Sequence, residues 1–274
     1  MEIPARFLPT QTLAPETFLI RQVLGEGMGP TVAPVNSMLI RGTEPVIVDT
    51  GMAFTRDGWM EHVFELVDPA DVRWVYLSHD DIDHTGALFE VLDLCPDAQL
   101  VTNMFSVLRM SAERLLPLER LRFLNPGESF SAGDRTLTAI VPPTYDSPTT
   151  RGLFDASTGV YWAADSFAAE ASRAVDDPDE LPLDELHEAF LQTQRMVSPW
   201  HTLLDPAAYA GHVAQLGALD VTVAVGAHGP AFRGAQVDRA FGWFAELPSL
   251  PPAPLVSQSD LEMLLSLLGS PSVA

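Results

Sequence analysis

Short apolar runs, each closed by a polar or turn-forming residue, alternate along the chain with stretches of helical period. Residues 38–51, "MLIRGTEPVIVDTG", read as a hairpin whose second strand ends at Asp49. The segment 55–67 carries helical spacing and stops before Asp68-Pro69, since a residue ahead of proline is disfavoured in the helical region. Residues 72–78 read as a buried strand, 85–95 as a helix ending at Pro96, 98–103 as a strand and 104–116 as a helical stretch. Two strands joined by a Gly-containing turn occupy 127–143, ahead of a loop rich in Pro and Thr. "TGVYWAAD" (158–165) is a strand ending in an acid, and an acidic, Pro-punctuated stretch leads into a helix at 183–196. Asp205-Pro206 supplies an N-cap and a first-turn proline for a helix to about Gly217. "DVTVAVGAHGP" (220–230) is a strand leading to His228. The alternation of strands and helices without a fixed repeat predicts an α/β fold.

Asp49, His79, Asp165 and His228 each follow directly on a predicted strand. Strand ends along one edge of a sheet converge, and the loops there present function from a rigid scaffold. Four such groups at four strand ends imply one site.

Composition narrows the classes. The formal charge of −22 opposes binding to nucleic acid or an anionic membrane, both of which need clustered cations. All 15 basic residues are Arg, which excludes a Schiff-base or phosphate-loop lysine. Cys95 is the one cysteine, which excludes an internal disulfide, a Cys-x-x-Cys zinc site and a cysteine-held iron–sulfur cluster, and its place at a helix end reads as buried. The N-terminus has no signal-peptide pattern and no run is long enough to span a bilayer, so a soluble, cytoplasmic protein is expected. After a stiff linker at 247–256, residues 259–269 form an apolar helix, expected to dock on the chain's own core, with a homo-oligomer contact as the alternative.

The densest chemistry lies in "SHDDIDHTGAL", where His79, Asp81, Asp83 and His84 share one strand-to-helix loop. A loop can fold these side chains around a point, and a capped turn alone gives no reason for two His and three Asp together. From Asp83, 62 residues intervene before Asp146, 18 between Asp146 and Asp165, and 62 between Asp165 and His228. With "NSMLI…VIVDTG", "GESFSAGDRTLTAI", "YWAADSF" and "GAHGP", this pattern resembles the metallo-β-lactamase fold superfamily over about residues 30–235. Within it, the pattern is similar to the flavodiiron and oxygen-binding diiron branch.

The resemblance implies an αββα four-layer sandwich over residues 1–246, with 247–274 as Pro-rich linker and terminal helix. It also implies two metal sites. His79, Asp81 and Asp146 would serve the first, Asp83, His228 and His84 the second, and Asp165 would bridge both. His84 is the ligand whose equivalent ring can turn away in the flavodiiron branch. Two residues depart from the family pattern. Asp81 stands where zinc hydrolases have His and diiron members Glu, and Asp146 occupies the spacing of a His, with an Asx-turn as its alternative role. Four Asp and three His make an oxygen-rich set whose hard carboxylates favour iron, with manganese or zinc open.

The expected function is a dimetal, non-haem diiron oxidoreductase that binds or reduces O2 or a related small oxidant. The chain ends without a flavodoxin-like region, so no FMN domain is expected and a separate electron-donor protein would supply electrons. A hydrolase using a metal-bridging hydroxide on an ester, lactone, thioester or phosphodiester is the alternative, and a non-catalytic oxygen or metal sensor a third. His201 and Tyr145 are weaker catalytic candidates, His201 as a hydrogen-bond or proton donor and Tyr145 as a pocket-lining residue. If Asp146 ligates, Asp146→Ala should lower the occupancy of one metal and leave the other largely bound, as read by metal analysis of the purified protein. Unchanged occupancy of both would return Asp146 to a turn role.

Overall fold

The computed structural model describes residues 3–269. Seven strands form the first sheet in the order of the chain: β1 (Ala5–Ala14), β2 (Thr17–Leu24), β3 (Ala33–Ile40), β4 (Val46–Val48), β5 (Trp74–Tyr76), β6 (Gln99–Thr102) and β7 (Leu121–Phe123). The first four pair antiparallel; β4 to β7 pair parallel, each crossover carrying the chain over the outer face. Those crossovers hold α1 (Arg56–Phe64), α2 (Leu88–Leu94) and α3 (Met104–Met110). The second sheet contains β8 (Ser129–Ala132), β9 (Arg135–Ile140), β10 (Gly152–Asp155), β11 (Val160–Trp162), β12 (Val223–Val225) and β13 (Phe232–Arg233), in spatial order β13-β12-β11-β10-β9-β8. Helices α4 (Leu183–Val197), α5 (Pro206–Gly217) and α6 (Ala235–Phe244) cover it.

Strand alternation creates the layers, because successive side chains point to opposite faces. Val46 and Val48 turn inward to meet Leu137, Leu153 and Trp162 of the other sheet, while Ile47 turns outward to the layer of Trp59, Val63 and Leu88. Trp162 faces the seam between the sheets, and its neighbour Tyr161 faces Phe167, Phe190 and Phe244 under the second helical layer. Three apolar clusters between four layers form the expected αββα sandwich.

The terminal segment differs from expectation. Leu247 is fully buried at the start of a short 3-10 turn, Leu247–Ser249, so the fold runs into the stretch read as linker. Among the described side chains of helix α7 (Gln258–Gly269), Leu261, Met263 and Leu265 are exposed. The six preceding helices already close both outer faces, and Pro251, Pro252 and Pro254 stiffen the approach to α7. Residues 270–274, assigned to the same segment, lie outside those described. Among the described residues, no helix is long and apolar enough to cross a membrane.

The parallel strands give the fold its site edge. His79, Asp165 and His228 each stand three positions beyond the last residue of a strand, β5, β11 and β12. Gly226 lets the last two loops meet, since a Cβ there would lie 2.1 Å from the Ser166 carbonyl oxygen. Gly86 does the same for the first loop, where a Cβ would fall 2.2 Å from the backbone of Met52 and Ala53. Gly226→Ala should therefore cost about 1–3 kcal/mol through forced displacement of the Asp165 loop, visible as a lowered thermal midpoint. An unchanged midpoint would show that the two loops are not held at this spacing.

Candidate metal centre

The loop from Ser78 to Thr85 is built by its own backbone. His84 and Thr85 donate their N–H groups to the Asp81 carbonyl, and the N–H and hydroxyl of Thr50 both donate to the His84 carbonyl. The loop is thus pinned to the turn after β4, where Asp49 sits at φ +58°. Asp49 is fully buried. Its Oδ1 accepts the Ser78 N–H at 2.7 Å, and its Oδ2 accepts from Ser78 Oγ at 2.6 Å, Trp162 Nε1 at 3.0 Å and His84 Nδ1 at 2.9 Å.

This network orients the three imidazoles. Ser78 Oγ donates to Asp49 and so accepts from His79 Nδ1 at 3.1 Å, while His228 Nδ1 donates to the Pro34 carbonyl at 2.8 Å. With each Nδ1 engaged, the three Nε2 atoms turn to a common centre. There His79 Nε2 lies 3.2 Å from Asp165 Oδ2, 3.9 Å from Asp81 and 4.0 Å from Asp146. On the other side, His84 Nε2 lies 3.1 Å and His228 Nε2 3.3 Å from Asp165 Oδ1, with Asp83 at 3.6 and 3.2 Å from the same two rings. The structure thus brings together all seven side chains singled out in the sequence. They fall into two groups with one oxygen of Asp165 facing each, and His84 is turned inward.

These close approaches are not hydrogen bonds for every atom. His79 Nε2, His84 Nε2 and Asp165 Oδ1 are buried without a hydrogen-bond partner. A buried polar atom left unpaired costs about 1–3 kcal/mol, so three of them gathered around the Asp165 carboxylate call for electrophiles to share. Two cations fit this donor set, with four carboxylates matching the charge of two divalent ions.

The electrostatics agree. Burial lowers the His84 imidazolium, but Asp83, Asp165 and Asp49 outweigh it and hold its pKa well above the ordinary value. Burial likewise opposes the charge on His228, and Asp165 and Asp83 again win by a wide margin. Burial raises Asp165, and His79, His84 and His228 together drive it well below the usual carboxylate range. Asp146 moves the other way, raised by burial and by the negative charge of Asp165.

Asp80, the one acid of the motif without an assigned metal role, accepts from Thr149 Oγ1 at 2.7 Å and Ser106 Oγ at 3.1 Å and pairs with Arg109 at 2.9 Å. It ties the loop to α3 and to the segment after Asp146. His201 is not drawn into the cluster: fully buried, it places Nδ1 2.9 Å from the Ser198 carbonyl and Nε2 3.3 Å from the Leu250 carbonyl. Tyr145 packs its ring on Trp200, and its backbone exchanges hydrogen bonds with Ser198 Oγ. Sequence reasoning missed Ser78, Trp162 and the Pro34 carbonyl as supports, although Ser78 adjoins the motif. It also missed Glu170, which lines a cavity of about 450 Å³ over the cluster with Met52, Ile82, Met196 and His228.

Comparison with known proteins identifies the family and the fold. The family described as Metallo-beta-lactamase superfamily matches residues 30–202. The anaerobic nitric oxide reductase flavorubredoxin of Salmonella typhi is 24% identical over 177 residues, which cover 62% of this chain and 36% of that one. Among solved structures, the flavodiiron protein from Giardia intestinalis matches at TM-score 0.75 and 14% identity, over 89% of this chain and 60% of that one. The rubredoxin oxygen:oxidoreductase from Desulfovibrio gigas matches at TM-score 0.72 and 19% identity, over 89% and 62%. At these identities the structural likeness is one of fold. The match spans about a quarter of the length of one curated relative and about a third of another.

Asp49→Asn keeps a residue tolerant of positive φ but removes the anion that four donors face. It should lower metal affinity about 10–100-fold through misoriented His84, measured by competition with a chromophoric chelator. Wild-type affinity in the variant would show that Asp49 does not orient the ring.

Proposed function

Because the chain belongs to the metallo-beta-lactamase superfamily, we propose that it is a dimetal oxidoreductase, with iron favoured, that reduces O2 or a related small oxidant using electrons from a separate donor protein. One observation carries the reading: both oxygens of a single buried carboxylate, Asp165, face separate sets of imidazole and carboxylate donors. His79, Asp81 and Asp146 would hold one ion, Asp83, His84 and His228 the other, and Asp165 would bridge them. The bound pair would supply reversible electron storage.

The protein's own groups do the rest. Asp81, Asp83, Asp146 and Asp165 supply the negative charge that favours the oxidised state of the pair. Asp49, Ser78 and the Pro34 carbonyl hold the rings in one tautomer. Met52, Ile82 and Met196 wall the approach with apolar surface, which weakens the competition of water for the site. The oxidant class is supported by two relatives, one named a nitric oxide reductase and one an oxygen oxidoreductase, both acting on diatomic molecules. Four carboxylates also distinguish this set from the imidazole-rich sites of zinc hydrolases.

The test begins with metal content and optical spectra before and after anaerobic reduction. Two irons per chain and a spectrum that reverts on adding O2 or NO are expected. Stoichiometric zinc with esterase or phosphodiesterase turnover would overturn the reading. Loading should also release protons. The raised pKa values of His84 and His228 favour their protonated forms, and Nε2 must be unprotonated to ligate. Apparent metal affinity should therefore rise with pH until the raised values are passed, as measured by calorimetry in buffers of different ionisation enthalpy.

A further inference from the structure

One carboxylate in the cavity over the cluster has no part in holding metal. Of the titratable side chains that line that cavity among the described residues, Asp81, Asp83, Asp146, Asp165 and His228 are assigned to the ions, and Glu170 remains. Glu170 also lines a second cavity of about 180 Å³, together with Thr31, Ser172, Glu185, Glu188 and Gln192. It is the one residue common to the two linings. Thr31, Ser172, Glu188 and Gln192 are exposed, so the second cavity opens on the surface.

The backbone fixes this placement. The Ala169 N–H donates to the His228 carbonyl at 2.9 Å, which ties the segment to the site loop after β12. The Glu170 N–H donates to Thr193 Oγ1 at 3.1 Å, and that hydroxyl donates to the Ala189 carbonyl of α4 at 2.8 Å. No hydrogen bond holds the Glu170 carboxylate among the described residues, and His228 pairs with Asp83 and Asp165 instead. Burial raises the Glu170 pKa and the charge of Asp83 adds to it, against the pull of His228. Glu185 and Glu188 are the charged groups on the outer side.

The proposed reaction needs such a group. Each electron given to O2 on the way to water, or to nitric oxide on the way to nitrous oxide and water, is matched by one proton. The donor protein supplies the electrons and solvent the protons, yet Met52, Ile82 and Met196 offer apolar surface on the approach. Building on the oxidoreductase reading, we infer that Glu170 is the proton relay of the centre, passing a proton from its carboxyl into the cluster cavity and regaining one from water in the outer cavity. The carboxyl O–H bond breaks as an O–H bond forms on the reduced oxygen, and the carboxylate then takes the next proton from solvent. Oxidant and proton thus reach the centre past different walls.

The experiment uses the iron-loaded full chain, reduced anaerobically, freed of reductant and mixed with O2 or NO. Glu170→Gln keeps the size of the side chain and removes its proton. It should retain its iron and slow the return of the oxidised spectrum about 100-fold at neutral pH, with the dependence on oxidant concentration unchanged. The wild-type rate should fall as pH rises through the Glu170 value, and the variant should lack that inflection. Glu170→Asp should recover part of the rate, and a small weak acid such as formic acid should rescue Glu170→Gln in proportion to its concentration. In the metal-free chain, the carboxyl resonance lost in Glu170→Gln should titrate above the ordinary glutamate range. A wild-type rate and pH profile in Glu170→Gln, loss of iron from that variant, or an ordinary carboxyl titration would overturn the relay and leave the oxidoreductase reading standing. A wild-type spectrum that reverts with neither oxidant would overturn that reading, and the relay with it.

Discussion

A buried anion ties the two sheets together at the site. Asp49 belongs to the turn after β4 of the first sheet, yet one of its donors, Trp162 Nε1, comes from β11 of the second. The others, Ser78 and His84, come from the loop after β5. A carboxylate removed from water is tolerable only when its lone pairs are filled, and here four donors fill them. That requirement fixes the placement of the ends of β4 and β5 relative to the seam residue Trp162, which ends β11. It explains why the turn accepts a non-glycine residue at φ +58°, since the hydrogen bonds over-determine the conformation. The cluster is therefore anchored to the same network that closes the sandwich.

Much of this was legible in the sequence. Apolar runs that stop at His79, Asp165 and His228 mark parallel strands buried on both faces, whose loops share an edge. Other elements were hidden for physical reasons. Strand β1 contains Pro9, which argues against a regular strand, and the structure absorbs it in a register shift between Leu8 and Gln11. Helix α6 opens after Gly234 and contains Gly242, so its period was masked although Val237, Ala240, Phe241 and Phe244 are buried. His201 shows the limit of local reading: its carbonyl partners lie 3 and 49 positions away, and only the second decides its role.

The cluster's charges admit two ways of being satisfied. Without a cation, the carboxylates favour protons on the imidazoles and raise the pKa of His84 and His228, while the imidazoles lower that of Asp165. With cations, the same Nε2 atoms would exchange those protons for metal. The supporting bonds run through Nδ1 to Asp49, Ser78 and Pro34, so they persist through the exchange. The rings need not reorient, and the entropy of ordering them is met by the fold rather than by the ion. This separation of roles within each imidazole, one nitrogen for the scaffold and one for the centre, lets a strongly acidic chain hold seven potential ligands in place. Asp146 has no comparable anchor, and its raised pKa reflects burial beside Asp165 without a firm partner. The half of the cluster that includes Asp146 is therefore held less firmly than the half tied to Asp49.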